Sequence, residues 1–128
     1  MLYTLSEHKL TVSVLWHEGG AHCIFTNSAT LVDLRTASSE LKKTAKGKQF
    51  RFLIHDFSRS RRIANGLAHV LMRSNEPGCV AFGLSFAKIA VVVDDEVLRR
   101  LIEEASRHVC VPTSAFATLS QAESWIGL

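Results

Sequence analysis

The sequence has no apolar run approaching the roughly 20 residues that a membrane-spanning helix requires, and it has no C-x-x-C pair. The first absence predicts a chain that does not cross a bilayer as a helix. The second concerns three cysteines, Cys23, Cys79 and Cys110. Their odd number and wide spacing argue against a disulfide framework and suit reduced thiols. An excess of one charge is also missing: 15 basic residues against 12 acidic leave a net charge of +3. That balance does not describe a nucleic-acid-binding face, which concentrates more positive charge. There is no internal repeat, no low-complexity tract and no glycine-rich phosphate loop. The opening MLYTLSEHKL has no basic leader followed by an apolar run, so no signal peptide is expected. The expectation is a cytoplasmic protein with no cofactor, no metal, no membrane and no nucleic acid among its partners.

What remains is an ordinary globular composition. Of 128 residues, 47% are apolar and 21% charged, which suits one domain over residues 1–128. A chain of this length buries roughly two thirds of the surface its unfolded form exposes, enough for a core without metals or disulfides.

Turn signals divide the chain. Leu10 to Trp16 reads as a strand, with Leu10, Val12, Val14 and Trp16 alternating with Thr11, Ser13 and Leu15, and His17-Glu18-Gly19-Gly20 supplies a turn with two glycines free to take positive φ. Ala21 to Phe25 then returns as the second arm of a hairpin. Thr26-Asn27-Ser28 is a polar break carrying N-cap residues. After it Leu31, Leu34, Ser38, Leu41 and Ala45 recur at helical spacing, and Lys42, Lys43, Lys46 and Gly47 are stop signals. Phe50 to Phe57 reads as a strand buried on both faces. Ser58 or Ser60 can cap a helix carrying Ile63, Leu67, Val70 and Leu71, with Gly66 inside it. Ser74 to Ser85 reads as a loop. Ile89 to Val93 is the plainest interior-strand signal. Asp94-Asp95-Glu96 opens a helix with Val97, Leu98, Leu101, Ile102 and Ala105 on its apolar face, and Arg99–Glu103 and Arg100–Glu104 are spaced as ion pairs. Ser114 to Thr118 is a short strand. Ser120 and Glu123 are spaced as a capping box before a last helix with Ala122, Trp125 and Ile126. The order ββαβαβαβα predicts an α/β domain: about five strands in a mixed sheet, covered by about four helices, with right-handed crossovers.

Three strings carry a resemblance: Leu53-Ile54-His55-Asp56-Phe57-Ser58, a strand ending in an acid before a turn; Phe86 to Val93; and Phe116 to Ile126, which ends in a tryptophan–hydrophobe pair. With the element order they make the chain resemble the SpoIIAA-like branch of the STAS superfamily, the anti-sigma-factor-antagonist fold. The resemblance spans nearly the whole chain. It implies a non-enzymatic regulatory or binding module. It also implies a place for a serine phospho-switch, where those antagonists carry Asp-Ser-Ser-Gly-Leu. Here the matching string is Ile63-Ala64-Asn65-Gly66-Leu67. Gly66 and Leu67 fit, but Ala64 and Asn65 stand in the serine positions, so the switch does not carry over.

Candidate sites each have a plain alternative. Ser58, Arg59, Ser60, Arg61 and Arg62, read as a turn into a helix N-terminus, would attract a phosphate, a carboxylate or an acidic partner; otherwise they are a solvated helix start. His55-Asp56 invites acid–base chemistry, but adjacent strand residues point to opposite faces. His22-Cys23 and His108 with Cys110 lack zinc-ligand spacing and suit core thiols better. Lys42, Lys43, Lys46, Lys48 and Arg51 form a basic run without the interleaved aromatics of a base-stacking surface. Val80, Phe82 and Leu84, with Trp16, are candidates for an apolar-ligand or partner surface, including a homodimer contact. The function read from these features is a non-enzymatic STAS-like module that binds a protein partner or a small apolar or anionic ligand. The alternative is a small hydrolase or transferase using the Ser58–Arg62 turn.

Overall fold

The computed structural model describes residues 2–4, 12–29, 31–45, 49–63, 85–107 and 111–128. Among the described residues six strands form one mixed sheet: β1 (Leu2–Thr4), β2 (Val12–His17), β3 (Gly20–Ala29), β4 (Gln49–Ile63), β5 (Ser85–Val92) and β6 (Thr113–Phe116). Three described helices accompany them: α1 (Leu31–Ala45), α2 (Glu96–Ser106) and α3 (Leu119–Ile126). The strands lie in the sheet in their chain order. β1, β2 and β3 are antiparallel neighbours; β3 through β6 run parallel. The sheet is therefore the expected five strands plus a three-residue addition, β1, at the β2 edge. The helix expected from Ile63 to Leu71 lies outside the described residues apart from Ile63, which belongs to β4.

Parallel strands laid down in chain order, each crossing to its neighbour with the same hand, place their crossovers on one face. α1 and α2 do share a face: Ala37, Leu41 and Ile102 join one core with Val12, Val14, Cys23, Phe25, Leu53, Phe57, Ile89, Val91 and Val93. α3 is not a crossover and takes the opposite face, where Ala122 and Ile126 pack on Phe52, Ile54, Ala90 and Val92. The unbroken apolar runs in β4 and β5 follow from this. Both strands are covered on both sides, so alternation has no use there.

The β2–β3 turn uses its two glycines differently from the expectation. Gly19 takes φ +86°. Gly20 does not need positive φ, but a Cβ there would come within 2.6 Å of the Phe52 ring, so only glycine lets the aromatic ring lie against the strand.

β3 and β4 run on past the end of β5, whose last pairing is Asp56 with Val92. Thr26-Asn27-Ser28 is thus strand rather than a break. Ser58 to Arg62 is strand rather than a turn into a helix: Thr26 pairs with Arg59, Asn27 with Ser60 and Ser28 with Arg62. Register shifts between Ile24 and Thr26, and between Asn27 and Ser28, show that β4 carries an extra residue at each place, as β-bulges do.

Local polar expectations also shift. The final capping box is Thr118 with Gln121, not Ser120 with Glu123. Asp95 caps α2 by accepting from the N–H groups of Val97 and Leu98. Arg100 pairs with Glu96 at 2.7 Å and Arg107 with Glu104 at 3.3 Å. Arg99 and Glu103, expected to pair, are used elsewhere: Arg99 donates to the carbonyls of Val93 and Asp94, and Glu103 reaches β6. Among the described residues no helix is long and apolar enough to cross a membrane.

Candidate functional site

The main buried polar feature is a histidine–aspartate pair that joins β3 to β4 on the α3 face. His22 and Asp56 alternate with Ala21, Cys23, Leu53 and Phe57, which all belong to the other face. In register, His22 lies beside Ile54, so Asp56, two residues on, is its diagonal neighbour on the same side. His22 Nε2 and Asp56 Oδ2 are 2.8 Å apart, and the residues are 7% and 4% exposed. An ionised carboxylate only accepts, so Nε2–H is the donor.

The second oxygen of Asp56 explains why the pair sits here. The bulge beyond Asp56 takes residue 58 out of regular pairing with β3, and Asp56 Oδ1 accepts the Ser58 N–H at 2.9 Å. Ser60 donates its hydroxyl to the Phe25 carbonyl at 2.9 Å, fastening the bulged strand again further along. Burial alone would raise the Asp56 pKa. The hydrogen bonds from His22 and Ser58 outweigh it and hold the carboxyl below its ordinary value. Asp56 is thus a clamp between a neighbouring strand and an irregular stretch of its own.

At the solvent side of the pair, the exposed His17 ring stacks on His22 with centroids 6.3 Å apart and lies 6.2 Å from Phe52. A histidine held by an aspartate is the orienting half of acid–base machinery. Among the described residues, the side-chain hydrogen bonds of this pair run within it and to Ser58.

On the opposite face, Cys23 and His55 stand side by side across β3 and β4. His55 packs on the Phe25 ring, its Nδ1 has no hydrogen-bond partner among the described residues, and burial pushes its pKa down to about 4. Burial pushes the Cys23 thiol up to about 12. Both are neutral near pH 7, and neither is poised as a nucleophile or a base. His55 and Asp56 diverge as strand neighbours must, and each finds its partner on β3. Among the described residues no three His, Cys, Asp or Glu side chains gather as metal ligands.

The sequence candidates are placed as follows. Ser58 and Arg59 are exposed and Ser60 is half-buried. With Arg61 and Arg62 they are residues of β4, not a turn at a helix start. Trp16 is half-buried, packed against Phe50 at 5.6 Å and against the core, while β1 covers β2 at Ser13, Val14 and Leu15. Val80, Phe82 and Leu84 lie outside the described residues, as do His108 and Cys110. The His22–Asp56 pair was missed because its signal is a strand register, which links residues 34 apart in the chain.

α2 holds a surface that the sequence placed inside. Leu98 and Ala105 pack on the core with the buried Ile102. Val97 and Leu101, expected on the same apolar face, are instead 66% and 55% exposed. They form one ridge, a turn apart, flanked by the Glu96–Arg100 and Glu104–Arg107 pairs.

No family model matches the chain, and no curated protein matches it. A solved structure does: a protein from Shewanella loihica, described as uncharacterised, of the DUF3478 family and with a SpoIIAA-like fold. The two superpose with a TM-score of 0.60 over 90% of this chain and 91% of that one, at 12% identity. The chain has the SpoIIAA-like fold. At this identity the likeness speaks for the fold alone.

Proposed function

We propose that this chain is a non-enzymatic regulatory or binding module of the SpoIIAA-like type, and that it engages a protein partner through the outer face of α2. The observation that carries this reading is the exposure of Val97 and Leu101 on a helix whose other apolar side chains already hold it to the sheet. Two large aliphatic groups one turn apart add nothing to that attachment and leave apolar area in water that a partner could cover. The fold is in keeping with the reading. So is the use of the His22–Asp56 pair, which serves a strand junction. The switch serines of the antagonists are absent from the sequence at Ala64 and Asn65, so partner binding is proposed to run without serine phosphorylation.

The test compares the wild type with Val97→Asp/Leu101→Asp as baits, after circular dichroism and urea unfolding have shown that both fold alike. A protein retained by the wild type and lost from the double variant supports the reading. Equal retention sinks it. Turnover of ester or phosphoester substrates that depends on Ser58 or Ser60 would favour the hydrolase or transferase alternative.

A further inference from the structure

We propose that the occupant of the α2 face is a second copy of the chain, packed as an antiparallel α2–α2 pair about a two-fold axis close to Leu101. This rests on the reading of α2 as a docking face and adds the identity of the partner. The outward stripe of the helix runs Glu96, Val97, Arg100, Leu101, Glu104, Arg107, all exposed. Its charges cancel, two acids against two arginines, so it does not select a strongly acidic or basic partner. It selects a surface with the reverse order of charge. The stripe reads acid, base, acid, base from its N-terminal end, so the same stripe turned end for end is its own complement.

With the axis near Leu101, Glu96 of one copy lies opposite Arg107 of the other, and Arg100 lies opposite Glu104. Symmetry makes each pairing twice. Leu101 meets its symmetry mate at the centre, and Val97 extends the apolar strip on either side. A parallel arrangement would set like charge against like. The antiparallel one also opposes the two helix dipoles favourably, setting the N-terminal end of each α2 beside the C-terminal end of the other. The intrahelical pairs do not compete strongly. The side chains of Glu96 and Arg100 are 67% and 77% exposed, and those of Glu104 and Arg107 are 67% and 73% exposed. Pairs this wet contribute little in place and can be shared across an interface.

Sedimentation equilibrium over the micromolar to millimolar range reads the outcome. The wild type is expected to approach twice the monomer mass, and Leu101→Asp to stay at the monomer mass. Arg100→Glu and Glu104→Arg should each be monomeric, because each sets like charges opposite one another in its own homodimer. An equimolar mixture of these two variants should regain the dimer mass. In the mixed dimer the new glutamate of one copy meets the new arginine of the other, while the native Glu104–Arg100 contact is kept on the other side of the axis. A wild type that is monomeric throughout overturns the proposal, as does a dimer that persists in Leu101→Asp or a mixture that stays monomeric. If the wild type is monomeric while Val97→Asp/Leu101→Asp still loses a different protein, the self-association falls and the docking function stands.

Discussion

Glu103 of α2 accepts the main-chain N–H of Ala115 in β6 at 2.6 Å, and the same carboxylate oxygen accepts the Ser114 hydroxyl. Among the described strands β6 is the last of the sheet. Its inward groups are taken by β5: the Ile89 N–H goes to the Pro112 carbonyl and the Val93 N–H to the Phe116 carbonyl. Along a parallel strand the inward groups belong to alternate residues, so the Ala115 N–H points to the open edge. A helix that packs on the face of the sheet thereby reaches round and occupies an edge donor with a negative charge. Such occupation is a recognised way to keep a strand from recruiting another.

Removing that carboxylate leaves the edge donor open. Glu103→Ala is expected to cost about 2 kcal/mol, the usual size for a hydrogen bond to a charged group, and to make the protein aggregate with rising concentration. Glu103→Gln keeps an acceptor and should lose less on both counts. Urea titration gives the first quantity and light scattering the second. An alanine variant as stable and as dispersed as the wild type would contradict the role assigned to Glu103.

His55 sets an acid sensitivity. Its pKa falls from 6.5 in an open chain to about 4 in the fold, so between those values the unfolded state binds the extra proton. Stability is complete above about pH 6.5 and drains away as pH falls toward 4. At 1.36 kcal/mol per unit, the loss approaches roughly 3 kcal/mol. Asp56, with its pKa below the ordinary 3.8, gives up its contribution only at still lower pH, so the two windows separate. His55→Leu should flatten the curve between pH 6.5 and 4. An unchanged slope in unfolding experiments across that range would show that the loss has another source.

The clamp at Asp56 predicts an asymmetry between substitutions. Asp56→Ala strands the Ser58 N–H and the buried His22 together, and should cost roughly 3 kcal/mol or more. Asp56→Asn keeps an acceptor for either donor and should cost distinctly less. A double-mutant cycle with His22→Ala should return a coupling of about 1 kcal/mol or more. Additive losses would mean that the 2.8 Å contact contributes nothing of its own.

The approach of Phe52 to Gly20 gives a packing test. Gly20→Ala places a methyl group into the ring and is expected to cost about 1–3 kcal/mol. Phe52→Leu loses aromatic area by itself but makes room. The double variant should therefore be more stable than the sum of the two single losses predicts. Strict additivity in thermal or urea unfolding would remove the steric explanation.

The architecture was more legible in the sequence than the site. The runs at Phe52-Leu53-Ile54 and Ile89 to Val93 announce strands covered on both faces, and they sit at the centre of the sheet. The helical spacing of Leu31, Leu34, Ser38, Leu41 and Ala45 marks where α1 lies. Patterns of that kind are local, since burial on one or two faces is written into successive side chains. Ser58 to Arg62 misled because serines and arginines suit a helix start as well as a polar strand, and nothing local reveals that β3 continues beside them. The His22–Asp56 pair depends on register, and register is a property of two strands at once. Val97 and Leu101 misled for a related reason: α2 offers apolar residues around a wide arc, and only its docking angle decides which of them face water.

The chain-order arrangement of the strands bears on how the molecule assembles. Every strand finds its sheet neighbour one connection away, and none must wait for a segment from the far end. The β2–β3 hairpin closes through a two-residue turn at Glu18 and Gly19, and each parallel strand then adds to an edge already in place. The hairpin contacts are close in sequence and form with little loss of chain entropy, whereas the parallel pairings, such as His22 with Ile54, are non-local and form more slowly. A ribosome releasing the chain from its N-terminus would deliver each strand after the edge that receives it. The sheet can grow in the direction of synthesis, and Glu103 and β6 arrive last to close it.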